Sequence, residues 1–469
     1  MSSATTGNAW ASMLKVDPAG SLGGTFQVPA SKPETQRAIL VGTLADGPSV
    51  VRNDLRCGET TTMKDACRSL GAGIAEQDGH LEVQGTGQAF RHGGQVIRAA
   101  GSGLVFRTIT ALASAMPSPT VVTGDATLCR RVMAPLLDAL RQLGADIEPI
   151  VNEGKAPVVN WGRGLRGGRC SLPGDVSSQF ITAIMLAAPL ADGPVDIEVT
   201  GPVYSQSYVR QTLASMAAAG ISVTVSDDLR SIHVEPSAYQ SQDVTVHEDY
   251  TSASYLLAAA TLFPGRTVLA GVHGDSMQGE RAIVPIIEQL GMTVTHDKAA
   301  ATLAVDNPAG RPRGDIEIDA SDCPNIVPTL AAIGAYTDGT MRVVRSPLTR
   351  LHKAPRIEAM VTELTKAGVA IRPLFDGSIC EGFEVRGRET YPGGQRFSSW
   401  GDHRIFMSLF VAGLQMQAPN LHDGFRDVQL SFPDFLAQFQ QAGVKISNID
   451  NEDVTCPAGD VLEASAATV

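Results

Sequence analysis

Several features are missing from this chain of 469 residues, and each absence removes a class of function. No two cysteines form a C-x-x-C pair. The seven present (Cys57, Cys67, Cys129, Cys170, Cys323, Cys380 and Cys456) are scattered, so neither a zinc site nor a disulfide framework is signalled. No long basic run occurs and the formal net charge is −12. That excludes a broad nucleic-acid interface and confines any basic site to a local cluster. Gly, Pro or polar residues interrupt the long apolar stretches too often for a membrane span. The opening MSSATTGNAWASMLKVDPAG has one Lys and no apolar core, so no signal peptide is read and a cytoplasmic protein is expected. No metal or nucleotide cofactor is signalled.

The length predicts two or more domains. The apolar share of 43% is ordinary for a globular protein and ample for large cores. One stretch, Gly174 to Gly193 (GDVSSQFITAIMLAAPLADG), opens on Ser177-Ser178-Gln179 and runs into an apolar body. The serines are natural N-caps, and the apolar body reads as a buried helix. Its free N–H groups and positive dipole end suit an anion. Five stretches share the plan, beginning at Ser31, Gly101, Asp249, Asp322 and Trp400.

A second pattern alternates with the first: an amphipathic helix, a Gly, then a short strand, as in RSLGAGI, RQLGADI, AAAGISV, EQLGMTV, TKAGVAI and QQAGVKI. Gly71, Gly144, Gly220, Gly291, Gly368 and Gly443 recur at intervals of 73, 76, 71, 77 and 75 residues. Six copies of one unit alternating strand and helix predict an α/β protein.

Cations gather near the polar starts. Lys32 and Arg37 lie in SKPETQRA, a placement that opposes the helix dipole unless an anion sits there. Gly101-Ser102-Gly103 precedes a helix carrying Arg107, and small residues there let backbone approach a ligand. Arg130 and Arg131 stand ahead of another helix. Arg350 and Arg356 flank LHKAP, and Asp402-His403-Arg404 opens the last apolar stretch. Anion binding at converging helix ends is the economical account.

Together SKxxxxRA, GDVSSQF, SYxxxTL, SASYLLAAA, SMQG, DHR and SFPDF, in this order, resemble the 5-enolpyruvylshikimate-3-phosphate synthase family of enolpyruvyl transferases, from roughly Gly24 to Ile446. The resemblance implies a two-domain inside-out α/β barrel of six βαβαββ repeats, three per domain, joined by a two-stranded hinge. It places one domain at 28–245 and the other at 1–27 plus 246–469, with an acidic, Ala-rich mobile tail. The implied reaction joins the enolpyruvyl group of phosphoenolpyruvate to a hydroxyl of a phosphorylated acceptor and releases phosphate. The implied phosphoenolpyruvate contacts are Lys32, Gly103, Arg131, Gln179, Arg356 and Arg404. The implied acceptor contacts are Arg37, Ser177, Ser178, Ser205 and Tyr208. Arg107, Asn325 and His352 are added as substrate contacts.

The chain departs from the family pattern elsewhere. A family serine is Pro33, a lysine is Leu430, and an asparagine is Leu348. The aspartate that would take the hydroxyl proton is Asn325. The glutamate of the KETDR motif is Lys353, and its lysine is His352. Lys32 is then the expected general acid, with Lys353 or the histidines His352 and His403 as substitute bases. The phosphoenolpyruvate side loses only the lysine at Leu430 and the other losses fall on the acceptor side, so an anionic acceptor other than shikimate 3-phosphate is expected. Two alternatives stand: an authentic shikimate-pathway synthase, and a relative that has left enolpyruvyl transfer. The sister family acting on UDP-N-acetylglucosamine fits less well, because it lacks Ser-Ser-Gln-Phe and its loop cysteine does not align with Cys129. The expected partners are small anions, with no nucleic acid, no membrane and a monomeric state.

Overall fold

The computed structural model describes residues 13–449 apart from 88, 91–93, 152–153 and 275. The acidic tail and most of the N-terminal stretch lie outside the described residues. No helix among the described residues is long and apolar enough to cross a membrane.

Alternating burial in the strands explains the layering. Val195–Thr200 alternates buried and exposed positions along its length, so one face meets the core and the other meets water. The apolar helices do not alternate. Every residue of Tyr250–Leu262 is buried, as is every residue of Val327–Gly334. Such helices need cover on all sides. The helices therefore occupy the inside and the sheets form the wall, an inside-out α/β barrel.

Six four-stranded sheets are present among the described residues. In one, Gly168–Pro173 and Val195–Thr200 pair in parallel across the helix Ser178–Ala187. The helix Gln206–Ala218 then leads to the antiparallel strands Val223–Val225 and Ser231–Val234. This is one βαβαββ unit. The recurring glycines Gly71, Gly144, Gly220, Gly291, Gly368 and Gly443 all have positive φ, the conformation that ends a helix and turns the chain toward the next strand.

Three sheets are completed by distant strands. Asp243–Thr245 joins Pro48–Arg52 in parallel, and Gly24–Gln27 joins Gly265–Ala270 in parallel. Leu14–Val16 inserts antiparallel between Asn420–His422 and Ile446–Asn448. The buried apolar residues form two separate cores. One draws on residues 14–28 and 250–444, the other on 30–246. The two crossing segments lie side by side, with Ala30 bridging Glu248 antiparallel and Ser31 N–H donating to His247 O at 2.7 Å. From this pairing we propose domain boundaries at 27/28 and 245/246.

The inserted strand has a measurable consequence. Leu14 is 2% exposed and sits in the first core. Leu14→Ala is expected to lower unfolding free energy by about 3 kcal/mol, the usual cost of such a cavity. Urea unfolding followed by circular dichroism measures it.

Candidate active site

A cavity between the two cores collects helix beginnings. The helices Lys32–Leu44, Gly103–Ala115, Ser178–Ala187, Gln206–Ala218, Arg356–Lys366 and His403–Gly413 all contribute a residue at or near their first turn. Three of these starts carry a side-chain cap: Ser31 accepts from Glu34 N–H, Ser177 Oγ from Gln179 N–H, and Asp402 from Arg404 N–H at 2.9 Å. Polar groups at these starts are thereby held facing the cavity. Every site residue expected from sequence lines it: Lys32, Arg37, Gly103, Arg107, Arg131, Ser177, Ser178, Gln179, Ser205, Tyr208, Asn325, His352, Lys353, Arg356, His403 and Arg404. Ser205 has φ 56°, a strained conformation for a non-glycine residue. Its N–H donates to Ser321 O at 2.8 Å in the facing half.

The cationic groups are unevenly paired. Arg356 Nε binds Asp402 Oδ2 at 2.8 Å, and Arg356 Nη1 donates to Asn325 Oδ1 at 3.0 Å. Arg37 is spent on protein: it donates to Thr212 Oγ1, Pro33 O and Tyr208 O at 3.0–3.1 Å. Arg107 Nη1 donates to Ser177 Oγ at 3.2 Å and also to Gln179 Oε1. Arg107 Nε is buried without a partner, and Arg131 has two such donors, Nε and Nη2. Burial pushes the Arg131 pKa down, and burial followed by the neighbouring Arg131 brings Arg107 down to about 9. A buried guanidinium with unpaired donors is costly unless something accepts from it.

Two carboxylates here escaped the motif reading. Glu59, at the start of the helix Gly58–Leu70, lies 3.0 Å from Lys32 Nζ and 3.4 Å from Lys353 Nζ. Burial opposes its ionisation, but Lys32 and then Lys353 outweigh burial and hold its pKa at about 2. The Lys353 contact ties the two halves together across the cavity. Glu280 is fully buried. Its Oε1 accepts from Tyr208 Oη at 2.8 Å and from Asn325 Nδ2 at 2.9 Å. The polar segment Ser276–Glu280 could have pointed to Glu280, and the Glu that follows Gly58 at a helix start could have pointed to Glu59. Neither signal says which side chain each would meet.

The histidines are placed in the cavity but poorly suited to accept protons. Burial, then nearby cations, holds His352 and His403 well below the ordinary imidazole range. Both nitrogens of His403 lack hydrogen-bond partners. Leu430, at the position of the expected lysine, faces the other half: its carbonyl accepts from Cys57 Sγ at 3.2 Å. A Cβ on Gly58 would come within 3.1 Å of Leu430 Cδ2. An apolar seam there takes the place of a charge.

Residues 16–439 match the family model described as EPSP synthase (3-phosphoshikimate 1-carboxyvinyltransferase). The chain belongs to the EPSP synthase family. Among its relatives, the 3-phosphoshikimate 1-carboxyvinyltransferase of Methanothermobacter thermautotrophicus is 35% identical over 92% of this chain and 99% of its own length. That of Methanosphaera stadtmanae is 33% identical over 90% and 97%. The solved EPSP synthase of Acinetobacter baumannii superposes with a TM-score of 0.77 at 25% identity, over 93% of this chain and all of that one. The protein is a transferase of the enolpyruvyl type, and its departures from the family pattern are substitutions inside a shared frame.

The Glu59 contacts predict a pH-dependent stability. A carboxylate held below its ordinary value contributes stability above about pH 4.5 that is lost as pH falls towards about 2. Glu59→Gln should cost about 3 kcal/mol at neutral pH, since it leaves two buried ammonium groups facing each other. The gap in melting temperature between the wild type and Glu59→Gln should narrow as the pH is lowered below about 4.5, read by differential scanning calorimetry.

Proposed function

We propose that the enzyme joins the enolpyruvyl group of phosphoenolpyruvate to a hydroxyl of shikimate 3-phosphate and releases phosphate. The observation that carries the anionic half is Arg131: two buried donors without partners, in a cavity also lined by Lys32, Arg356 and Arg404. A carboxylate and a phosphate are the groups that satisfy such donors in pairs. Gly103 suits the same ligand, because a Cβ there would lie 3.1 Å from Arg131 Nη1 and 3.3 Å from Gln179 Oε1. On the acceptor side, Ser177, Ser178 and Ser205 offer hydroxyls to a phosphate.

The choice of acceptor follows the relatives, all named 3-phosphoshikimate 1-carboxyvinyltransferase at 31–35% identity. It replaces the expectation of a different acceptor. That expectation counted missing carboxylates at Asn325 and Lys353, but Glu280 stands beside the first and Glu59 beside the second. Lys353 therefore acts in this proposal as a cation fixed by Glu59, and Lys32 protonates the methylene carbon. A second reading, a different phosphorylated hydroxyl acceptor, draws support from Leu348 and Pro33. Both line the cavity and have no side-chain group to bind a hydroxyl.

In the elimination step, negative charge passes towards the departing phosphate, and fixed cations that need not reorganise lower that barrier. Arg131→Ala should raise the KM for phosphoenolpyruvate about 100-fold, because two charge-assisted hydrogen bonds are worth roughly 3 kcal/mol together. Phosphate release from phosphoenolpyruvate and shikimate 3-phosphate, with rescue of an aromatic auxotroph, tests the acceptor. Turnover and rescue are expected. Release only with another phosphorylated hydroxyl compound would select the second reading.

A further inference from the structure

The acceptor hydroxyl must lose a proton, and Asn325 cannot take it. The amide is also fully oriented. Its Oδ1 accepts from Arg356 Nη1 at 3.0 Å, and its Nδ2 donates to Tyr208 Oη at 2.7 Å and to Glu280 Oε1 at 2.9 Å. With both amide hydrogens committed, the Tyr208 hydroxyl hydrogen points to Glu280, at 2.8 Å. The second Glu280 oxygen, Oε2, is buried with no partner. Tyr208 lines the cavity, whereas Glu280 lies behind it and does not. Resting on the enolpyruvyl-transfer reading above, we propose that Tyr208 and Glu280 form a two-residue proton relay that replaces a direct carboxylate base.

The step balances. The acceptor oxygen bonds to C2 of phosphoenolpyruvate as its O–H bond breaks. Its proton goes to Tyr208 Oη while the Tyr208 proton goes to Glu280 Oε1, so the phenol is neutral before and after. C3 takes a proton from Lys32 in the addition and returns it in the elimination, when the C2–O bond to phosphate breaks. The hydroxyl proton finally leaves with the phosphate.

The surroundings suit the role. Burial pushes Glu280 up to about 7, against the pull of its hydrogen bonds from Asn325 and Tyr208 and of Arg404. Burial and then Glu280 push the Tyr208 phenol well above its ordinary range, so a free tyrosinate is disfavoured and concerted transfer is the open route. Of the other charged or titratable neighbours, Arg404 pulls the phenol down and Asp249 pushes it up, while Cys323 is itself pushed up by burial and then by Glu280 and stays a neutral thiol. A carboxylate near 7 can take a proton at neutral pH and release it again, which a carboxylate near 4 does poorly. Glu280 acts through Tyr208 and is in that sense a positioning residue. Because Tyr208 and Glu280 sit in opposite halves, the relay exists only when the cavity is closed.

The test uses the full chain with phosphoenolpyruvate and shikimate 3-phosphate. Wild-type kcat should fall below about pH 7, with one proton involved. Glu280→Gln should lose about 100-fold or more in kcat, the scale of general base catalysis. It should keep its KM for phosphoenolpyruvate and lose the acid limb of the pH profile. Tyr208→Phe should behave alike. The double variant Glu280→Gln/Asn325→Asp restores one carboxylate at the direct position and should recover at least tenfold, with the limb moved to lower pH. Glu280→Gln within threefold of wild-type kcat overturns the relay, as does a retained limb. An independent measurement needs no turnover: a carboxyl C=O infrared band that titrates near pH 7 in the wild type and is missing from Glu280→Gln. Absence of that band overturns the relay for any acceptor. Wild-type enzyme that shows the band but does not turn over shikimate 3-phosphate overturns the proposed acceptor instead.

Discussion

Concentrating positive charge inside the protein is the constraint on which the rest of the structure depends. Lys32, Arg107, Arg131, Lys353, Arg356 and Arg404 line one cavity. Like charges so close repel, and each loses hydration on burial. The fold answers with a few buried carboxylates at fixed places. Asp402 caps the helix His403–Gly413 and holds Arg356. Asp249 caps Tyr250–Leu262 and also accepts from Lys32 N–H at 3.1 Å. Glu59 stands between two lysines. What these carboxylates leave uncompensated, above all at Arg131, is the binding energy available to an anionic substrate.

The same carboxylates couple chemistry to closure. Contacts across the cavity include Lys353 with Glu59, Tyr208 with Glu280, and Ser207 N–H with Asp322 Oδ1 at 2.8 Å. Gln278 Nε2 reaches Glu34 Oε1 at 3.1 Å near the crossing segments. Each half alone carries an incomplete set of charges, so the halves gain by meeting. Loss of the expected lysine at Leu430 fits this pattern: an apolar contact near Gly58 lets the halves approach without adding another cation. Substitutions that look like losses one at a time act together as a redistribution of charge within an unchanged frame.

Much of this frame was legible in the chain. Six recurrences of helix, glycine and strand implied six units, because a helix that must end and reverse needs a residue tolerant of positive φ. The polar starts and apolar bodies implied buried helices whose first turns face a cleft, and of the cationic residues picked near those starts Lys32, Arg37, Arg107, Arg131, Arg356 and Arg404 line it, whereas Arg130 and Arg350 do not. Local signals of this kind depend only on near neighbours along the chain, so sequence carries them. The order of the sheets was not legible in the same way. Only tertiary structure brings Leu14–Val16 between strands more than 400 residues away and sets Ala30 against Glu248.

Reading position by position marked Asn325 and Lys353 as lost carboxylates, and both side chains line the cavity. Where the negative charge had moved could not be read that way. Glu59 and Lys353 are 294 residues apart, and Glu280 and Tyr208 are 72 residues apart; their meeting depends on how the two halves close. Sequence alone determined the repeated unit, the buried helices and the cationic starts, because periodicity and capping are local. Tertiary structure alone decided which carboxylate neutralises which cation and which acid lies behind which phenol, because those energies depend on distance and burial in space.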